Sequence, residues 1–247
     1  MRFETAWALV TGAILVQALS TPGAAAQAPN ASGGDKAPDL ASFIDLGKYY
    51  VAPVPPKKDA RTGFVVGGKN ATALIRALQE INGRTIADLE KDMRPGAKSE
   101  VGSMEGFLGP DEKLLDVLAA DNRYVVEELG LTHQELARHL HAMATIGFWQ
   151  WDRNESEAVF RYRGRRFKVR LLLTAGAQPS PFRDGTESGA NAVVENLDNG
   201  KKLAYALLVP AMIERYGFYE GKGTPYRVDP RQVVAVFDFL AKPKKAP

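Results

Sequence analysis

The sequence predicts an α+β fold, with an amino-terminal helical layer packed on a small antiparallel sheet and a closing carboxy-terminal helix. Three observations predict it. Between Asn70 and Ala144, apolar residues recur at helical spacing, punctuated by capping residues. From Val159 the apolar period changes to two, with glycine-containing turn pairs. Asp229-Pro230 then opens a final helix with a cap and a first-position proline.

The elements are taken in chain order. Ala6 to Leu19 is an apolar run too short for a bilayer-spanning helix, which needs roughly twenty residues. Ser20 to Gly23 break it, and Ala24-Ala25-Ala26 follows with the small residues a signal peptidase reads. Residues 1–26 are therefore expected to be a cleaved signal peptide, and the mature chain to be periplasmic or secreted. No cysteine follows the apolar run, and no later run reaches spanning length, so no integral membrane segment is expected in the mature chain. Residues 27–62, rich in Pro, Gly and small polar side chains, read as a flexible or extended linker. A single globular domain is expected over 63–241, followed by a basic tail at 242–247. The sequons at Asn30, Asn70 and Asn154 read as coincidence.

Phe64-Val65-Val66 is a short strand candidate. Asn70 is positioned to cap a helix carrying Leu74, Ile75, Leu78 and Ile81 inward, ending near Gly83. Thr85 with Asp88 caps a second helix to Met93. Pro110 opens a third, which runs or restarts through Val125 and Leu129 to Gly130. Thr132 with Glu135 forms a capping box for a fourth, to about Ala144. Val159 to Leu173 reads as a β-hairpin about Gly164-Arg165, a pair suited to a type II′ turn. That turn sets Tyr162 opposite Phe167 and Phe160 opposite Val169, all on one face. Gly176 to Ala190 lacks a period and reads as a long loop. Asn199-Gly200 signals a second hairpin, Pro210 starts a helix, and Asp229 caps the last one.

Composition narrows the function. At 45% hydrophobic and 25% charged residues, collagen-like, coiled-coil and wholly disordered classes are excluded. The absence of cysteine removes disulfides, thiol nucleophiles, iron–sulfur clusters and cysteine-based zinc sites. The three histidines, His133, His139 and His141, lack the i, i+4 spacing of a helical metal pair. No cofactor and no metal are expected.

The most distinctive feature is charge. Six of the ten residues from Arg161 to Arg170 are basic, and Arg161, Arg163, Arg166, Lys168 and Arg170 share the face opposite Phe160. Like charges across a strand pair are destabilising, so an opposing charge is expected. One source is an anionic ligand or an acidic protein surface, held by this face with help from Arg183 and Arg227. Another is internal: residues 27–150 hold 14 basic and 17 acidic side chains, so the acidic half could lie on the basic one. Nucleic acid is disfavoured, because the net charge is only +3 and the basic face carries no aromatic rings. The first functional expectation is thus a non-catalytic exported binding protein. The alternative is a hydrolase of a polar envelope or extracellular substrate. In that reading Asp184, Glu187, Glu195 and His133 supply acid/base groups and Arg183 positions the substrate.

Overall fold

The computed structural model describes residues 57–241. The expected signal peptide, linker residues 27–56 and the basic tail lie outside the described residues. The fold is α+β. Helices α1 (Ala71–Ile75), α2 (Ile86–Met93), α3 (Leu114–Asn122) and α4 (His133–Trp151) precede the main sheet. Strands β3 (Ala158–Tyr162), β4 (Arg165–Pro179), β5 (Glu187–Asn196) and β6 (Lys202–Ala206) build that sheet, antiparallel and in chain order. Helices α5 (Val209–Tyr216) and α6 (Pro230–Val236) follow. A two-stranded ribbon, β1 (Glu80–Ile81) and β2 (Arg84–Thr85), interrupts the helical part.

Capping chemistry sets several boundaries. Thr85 Oγ1 accepts from the Asp88 N–H, and Thr132 Oγ1 from the Glu135 N–H, opening α2 and α4. Asp229 accepts from the Arg231 N–H ahead of Pro230. Gly217 closes α5 in the left-handed conformation (φ 66°) that glycine adopts without a steric penalty. Helix α3 starts at Leu114 rather than Pro110 and continues as a π-helical turn over Arg123–Glu128.

Helix α4 organises the core. The Tyr205 hydroxyl on β6 donates to the Leu140 carbonyl (2.6 Å). Gly147 abuts Leu171 on β4, where even a Cβ would sit 3.3 Å away. Trp149 meets Phe160 on β3 edge-on at 5.4 Å between centroids. The helix therefore crosses the strands from β6 towards β3. Beneath it Phe160, Phe167, Val169, Ala192, Val194 and Tyr205 are buried as one apolar sheet face.

Several expectations fail for identifiable reasons. Phe64-Val65-Val66 forms no strand; Phe64 and Val66 are buried in irregular chain that no strand among the described residues pairs with. The helix expected from Asn70 to Gly83 stops at Ile75, and Asn70 makes no side-chain cap. Asn82 and Gly83, both at positive φ, turn the chain between β1 and β2 instead. That Asn-Gly pair is a type I′ hairpin signal, and it overrides the helical period. Helix α4 runs seven residues beyond Ala144 to Trp151. The β3–β4 turn is Arg163-Gly164, with φ of 51° and 75°, so Tyr162 faces Arg165 and Phe160 faces Phe167. This slip of two residues leaves the strand side chains on their expected faces but moves Arg163 off the basic face and into the turn. The stretch 176–190 is mostly strand; only residues 180–186 form a loop. A register irregularity between Leu173 and Gln178 hides the strand period there.

Candidate functional site

Four segments distant in sequence enclose a cleft of about 550 Å³, within the size range of ligand sites. The first wall is the turn at Asp59. Its carboxylate accepts from the Thr62 N–H (2.6 Å), the Thr62 hydroxyl (2.5 Å) and the Arg61 N–H (3.2 Å). These bonds, led by Thr62, hold the Asp59 carboxyl below its ordinary range. The turn ties down the end of the expected linker and sets Lys57, Lys58 and Arg61 on the rim. The second wall is the Asn82-Gly83 turn, the third the 180–186 loop through Asp184, and the fourth the end of α5 through Arg215 and Tyr216. Phe64, Val66, Leu78, Ile81 and Leu118 supply an apolar floor.

The polar corner is tightly bonded. Asp184 Oδ2 accepts from Arg215 (2.8 Å) and from the Tyr216 hydroxyl (2.8 Å), and Oδ1 from the Thr186 N–H (3.0 Å). Arg215 also donates to the Thr186 hydroxyl. Asn82 Nδ2 donates to the Tyr216 hydroxyl (2.7 Å) and the Phe182 carbonyl (3.2 Å). The Phe182 ring stacks on Tyr216 at 3.9 Å. Burial pushes the Asp184 carboxyl up, but the bonds from Arg215, Tyr216 and Thr186 outweigh it, and its pKa lies below the ordinary value. Burial, and then Asp184, push the Tyr216 hydroxyl well above its ordinary range. Asp184 is therefore a compensated anion. Lys57, Lys58 and Arg61 form no ion pair with a described residue, although Asp59 and Glu80 line the same cleft and the Arg61 charge helps hold the Asp59 carboxyl down. Arg215 Nε is buried without a hydrogen-bond partner among the described residues.

No family model, curated protein or solved structure matches this chain. The site therefore rests on its own geometry.

The residues expected to bind an anion are distributed differently. Arg166 pairs with Asp198 (2.7 Å), and Lys168 with Glu195 (3.5 Å) and Glu157 (3.7 Å). Arg165, on the apolar face, pairs with Asp238 (2.9 Å). These acids come from β5, the segments flanking the strands and the carboxy-terminal turn, not from the amino-terminal helical layer expected to supply them. Arg163 sits at the turn and Arg170 on β4, both exposed; Arg161 is half-buried on β3. Arg183 is held by Asp92 (3.3 Å) and Glu100 (3.1 Å). Arg227 makes a buried fork with Asp121. Neither joins the hairpin face.

The acid/base candidates do not converge. Glu187 opens β5 and Glu195 lies eight residues along the same strand, about 26 Å away at ordinary strand rise. Lys202 and Lys168 flank Glu195. His133 is buried under Gly217, its Nε2 donating to Asn122 Oδ1 (3.2 Å) and its Nδ1 accepting from the Tyr219 hydroxyl (2.9 Å). Burial lowers its pKa to about 4, so it is neutral and structural at pH 7. Of the four, Asp184 alone lines the cleft. Lys57, Lys58, Arg61, Asn82, Arg215 and Tyr216 were not anticipated from the sequence. The Asn82-Gly83 pair was the available signal for one wall; the rest is assembled by tertiary structure.

Proposed function

We propose that this chain is an exported, non-catalytic binding protein for an organic anion with an apolar body, and that the cleft is its principal site. The observation that carries the reading is the lining itself. Lys57, Lys58 and Arg61, which form no ion pair with a described residue, join Arg215 on a lining where four cations exceed the three carboxylates Asp59, Glu80 and Asp184, beside an apolar floor that includes Phe64, Leu78 and Ile81. An apolar body gains by leaving water on that floor, and a carboxylate or sulfonate meets the rim charges. The hairpin face supports this role less well, because Arg166 and Lys168 already have acidic neighbours. The compensated state of Asp184 favours binding over acid/base chemistry, since a carboxylate held by three donors is a weak base. The export part of the reading rests on Ala6 to Leu19 and the Ala24-Ala25-Ala26 motif.

Calorimetric titration with decanoate and with decanol tests the ligand class. Decanoate is expected to bind and decanol to bind at least about tenfold more weakly, the difference shrinking in high salt. Replacing Lys57, Lys58 and Arg61 together with Gln is expected to abolish the preference. Equal affinity for the two probes, or none for either, would sink the proposal.

A further inference from the structure

The main sheet has an incomplete edge. Strand β3 pairs with β4 only as far as Ala158 opposite Val169, while β4 continues to Pro179. In the two-residue Arg163-Gly164 hairpin, Tyr162 and Arg165 exchange backbone hydrogen bonds, so Arg165, Phe167 and Val169 point their N–H and C=O groups at β3. The alternate residues point at β5, as the Leu197 N–H donating to the Arg166 carbonyl (2.8 Å) confirms. The same alternation aims the backbone groups of Leu171 and Leu173 into the lane that β3 leaves open. Among the described residues no strand fills that lane.

The lane is apolar as well as unpaired. Leu172 and Leu173 are 40% and 48% exposed. Helix α4 packs on Leu171 at Gly147, and Trp151 follows one turn further along the same helix. Trp151 is 49% exposed and Phe148 38%. Long, exposed, apolar edges are normally blocked by charge, proline or a covering element. Here Arg170 is the one charged residue between Val169 and Pro179.

We propose that this edge pairs with the same edge of a second copy, continuing the sheet across a two-fold axis at Leu172. The register follows from the backbone. Antiparallel pairing sets Leu171 opposite Leu173 of the other copy, which lets both residues exchange their open N–H and C=O groups. Leu172 then meets its own equivalent, and Arg170 meets Thr174, so no like charges oppose. The pairing covers residues 170–174 and stops where β4 leaves its regular register after Leu173. A two-fold contact uses one self-complementary patch, and this segment is self-complementary in hydrogen bonding, hydrophobicity and charge. The inference is independent of the cleft.

The test uses the full chain with its own amino terminus, in sedimentation and cross-linking. The wild type is expected to sediment at twice the chain mass, and Leu172→Lys, which sets two ammonium groups face to face, at the monomer mass with its circular dichroism unchanged. The chain has no cysteine, so Leu172→Cys supplies a single thiol at the axis. Under mild oxidation it is expected to form a disulfide-linked dimer far faster than Tyr226→Cys, an exposed control outside the sheet. A wild type that stays monomeric, a dimer that survives Leu172→Lys, or equal cross-linking of the two cysteine variants would each overturn the proposal. Capture of another protein's strand by this edge, with the wild type monomeric, counts against it too.

Discussion

Asp121 and Arg227 meet as a buried two-pronged pair, Nη2 to Oδ1 at 2.6 Å and Nη1 to Oδ2 at 3.1 Å, from positions 106 residues apart. Arg227 also donates to the Glu220 carbonyl. Burial pushes the Asp121 carboxyl up more than the guanidinium lowers it, so the pair is held at a desolvation cost. Its consequence is specific: it pins the chain between α5 and α6 to the end of α3.

Removing one partner should therefore be worse than removing both. Arg227→Met leaves a buried carboxylate without its cation and is expected to cost about 3–5 kcal/mol. Adding Asp121→Leu should recover much of that loss. Urea unfolding of the two single variants and the double variant measures the cycle, and a double variant as unstable as Arg227→Met would refute the account.

Stability should peak near pH 6.5, for reasons of opposite sign. Burial lowers the pKa of His133 to about 4, and burial with the charges of Arg163 and Arg138 does the same for His139, against 6.5 unfolded. Both rings are neutral in the fold and charge on unfolding, so their contribution is present above pH 6.5 and lost as pH falls towards 4. Burial raises Glu220 to about 8 from 4.5. Its carboxyl is neutral in the fold, and the unfolded chain releases that proton from pH 4.5 upwards. Stability from Glu220 is thus lost as pH rises from 4.5 to 8. Of these three groups, the two histidines outweigh Glu220 below 6.5, and Glu220 alone acts above it. Glu220→Gln should flatten the alkaline limb and leave the acid limb in place, as read by urea midpoints across pH.

Gly221 should tolerate no side chain. The Glu112 carboxylate collects the N–H groups of Gly109 (2.8 Å), Lys222 (2.8 Å) and Gly223 (3.3 Å), closing the 217–227 loop onto the protein itself. A Cβ on Gly221 would lie 2.0 Å from Glu112 Oε2 and 2.9 Å from the Leu108 Cα. Gly221→Ala is expected to cost about 2–4 kcal/mol. Gly164→Ala, with nothing within 4 Å but φ at 75°, should cost only about 1 kcal/mol. Thermal unfolding that ranks the two the other way would contradict this.

These sites show what was legible beforehand. Caps are local chemistry, and Thr85, Thr132 and Asp229 marked three helix starts correctly. The basic face of the hairpin was also readable, because alternation survives a register slip of two. Its neutralisation was not, because Asp198, Glu195 and Glu157 reach it from neighbouring segments whose placement is tertiary. The cleft was the least legible. Asp184 was singled out, but its partners Arg215, Tyr216 and Asn82 lie on α5 and the β1–β2 turn. No spacing rule links residues 82, 184 and 215 along a chain.

Asp184 itself offers a test that separates binding from catalysis. Its negative charge faces the same cleft as Lys57, Lys58 and Arg61, and it occupies donors of Arg215 that also line that cleft. Asp184→Asn keeps the shape, gives up one carboxylate, and leaves the Arg215 guanidinium less compensated. Stability should fall by about 1–2 kcal/mol, because hydrogen bonds to a charged acceptor are replaced by weaker ones. Decanoate affinity should nonetheless rise, by about threefold to tenfold, since a repelling charge is gone from the site. A carboxylate acting as an acid or base on substrate predicts the other pattern, with affinity little changed and turnover lost. Titration of Asp184→Asn beside the wild type, at low and high salt, distinguishes the two: a gain in affinity that salt erodes belongs to a binding cleft, and unchanged or weaker binding would remove Asp184 from the electrostatics proposed for it.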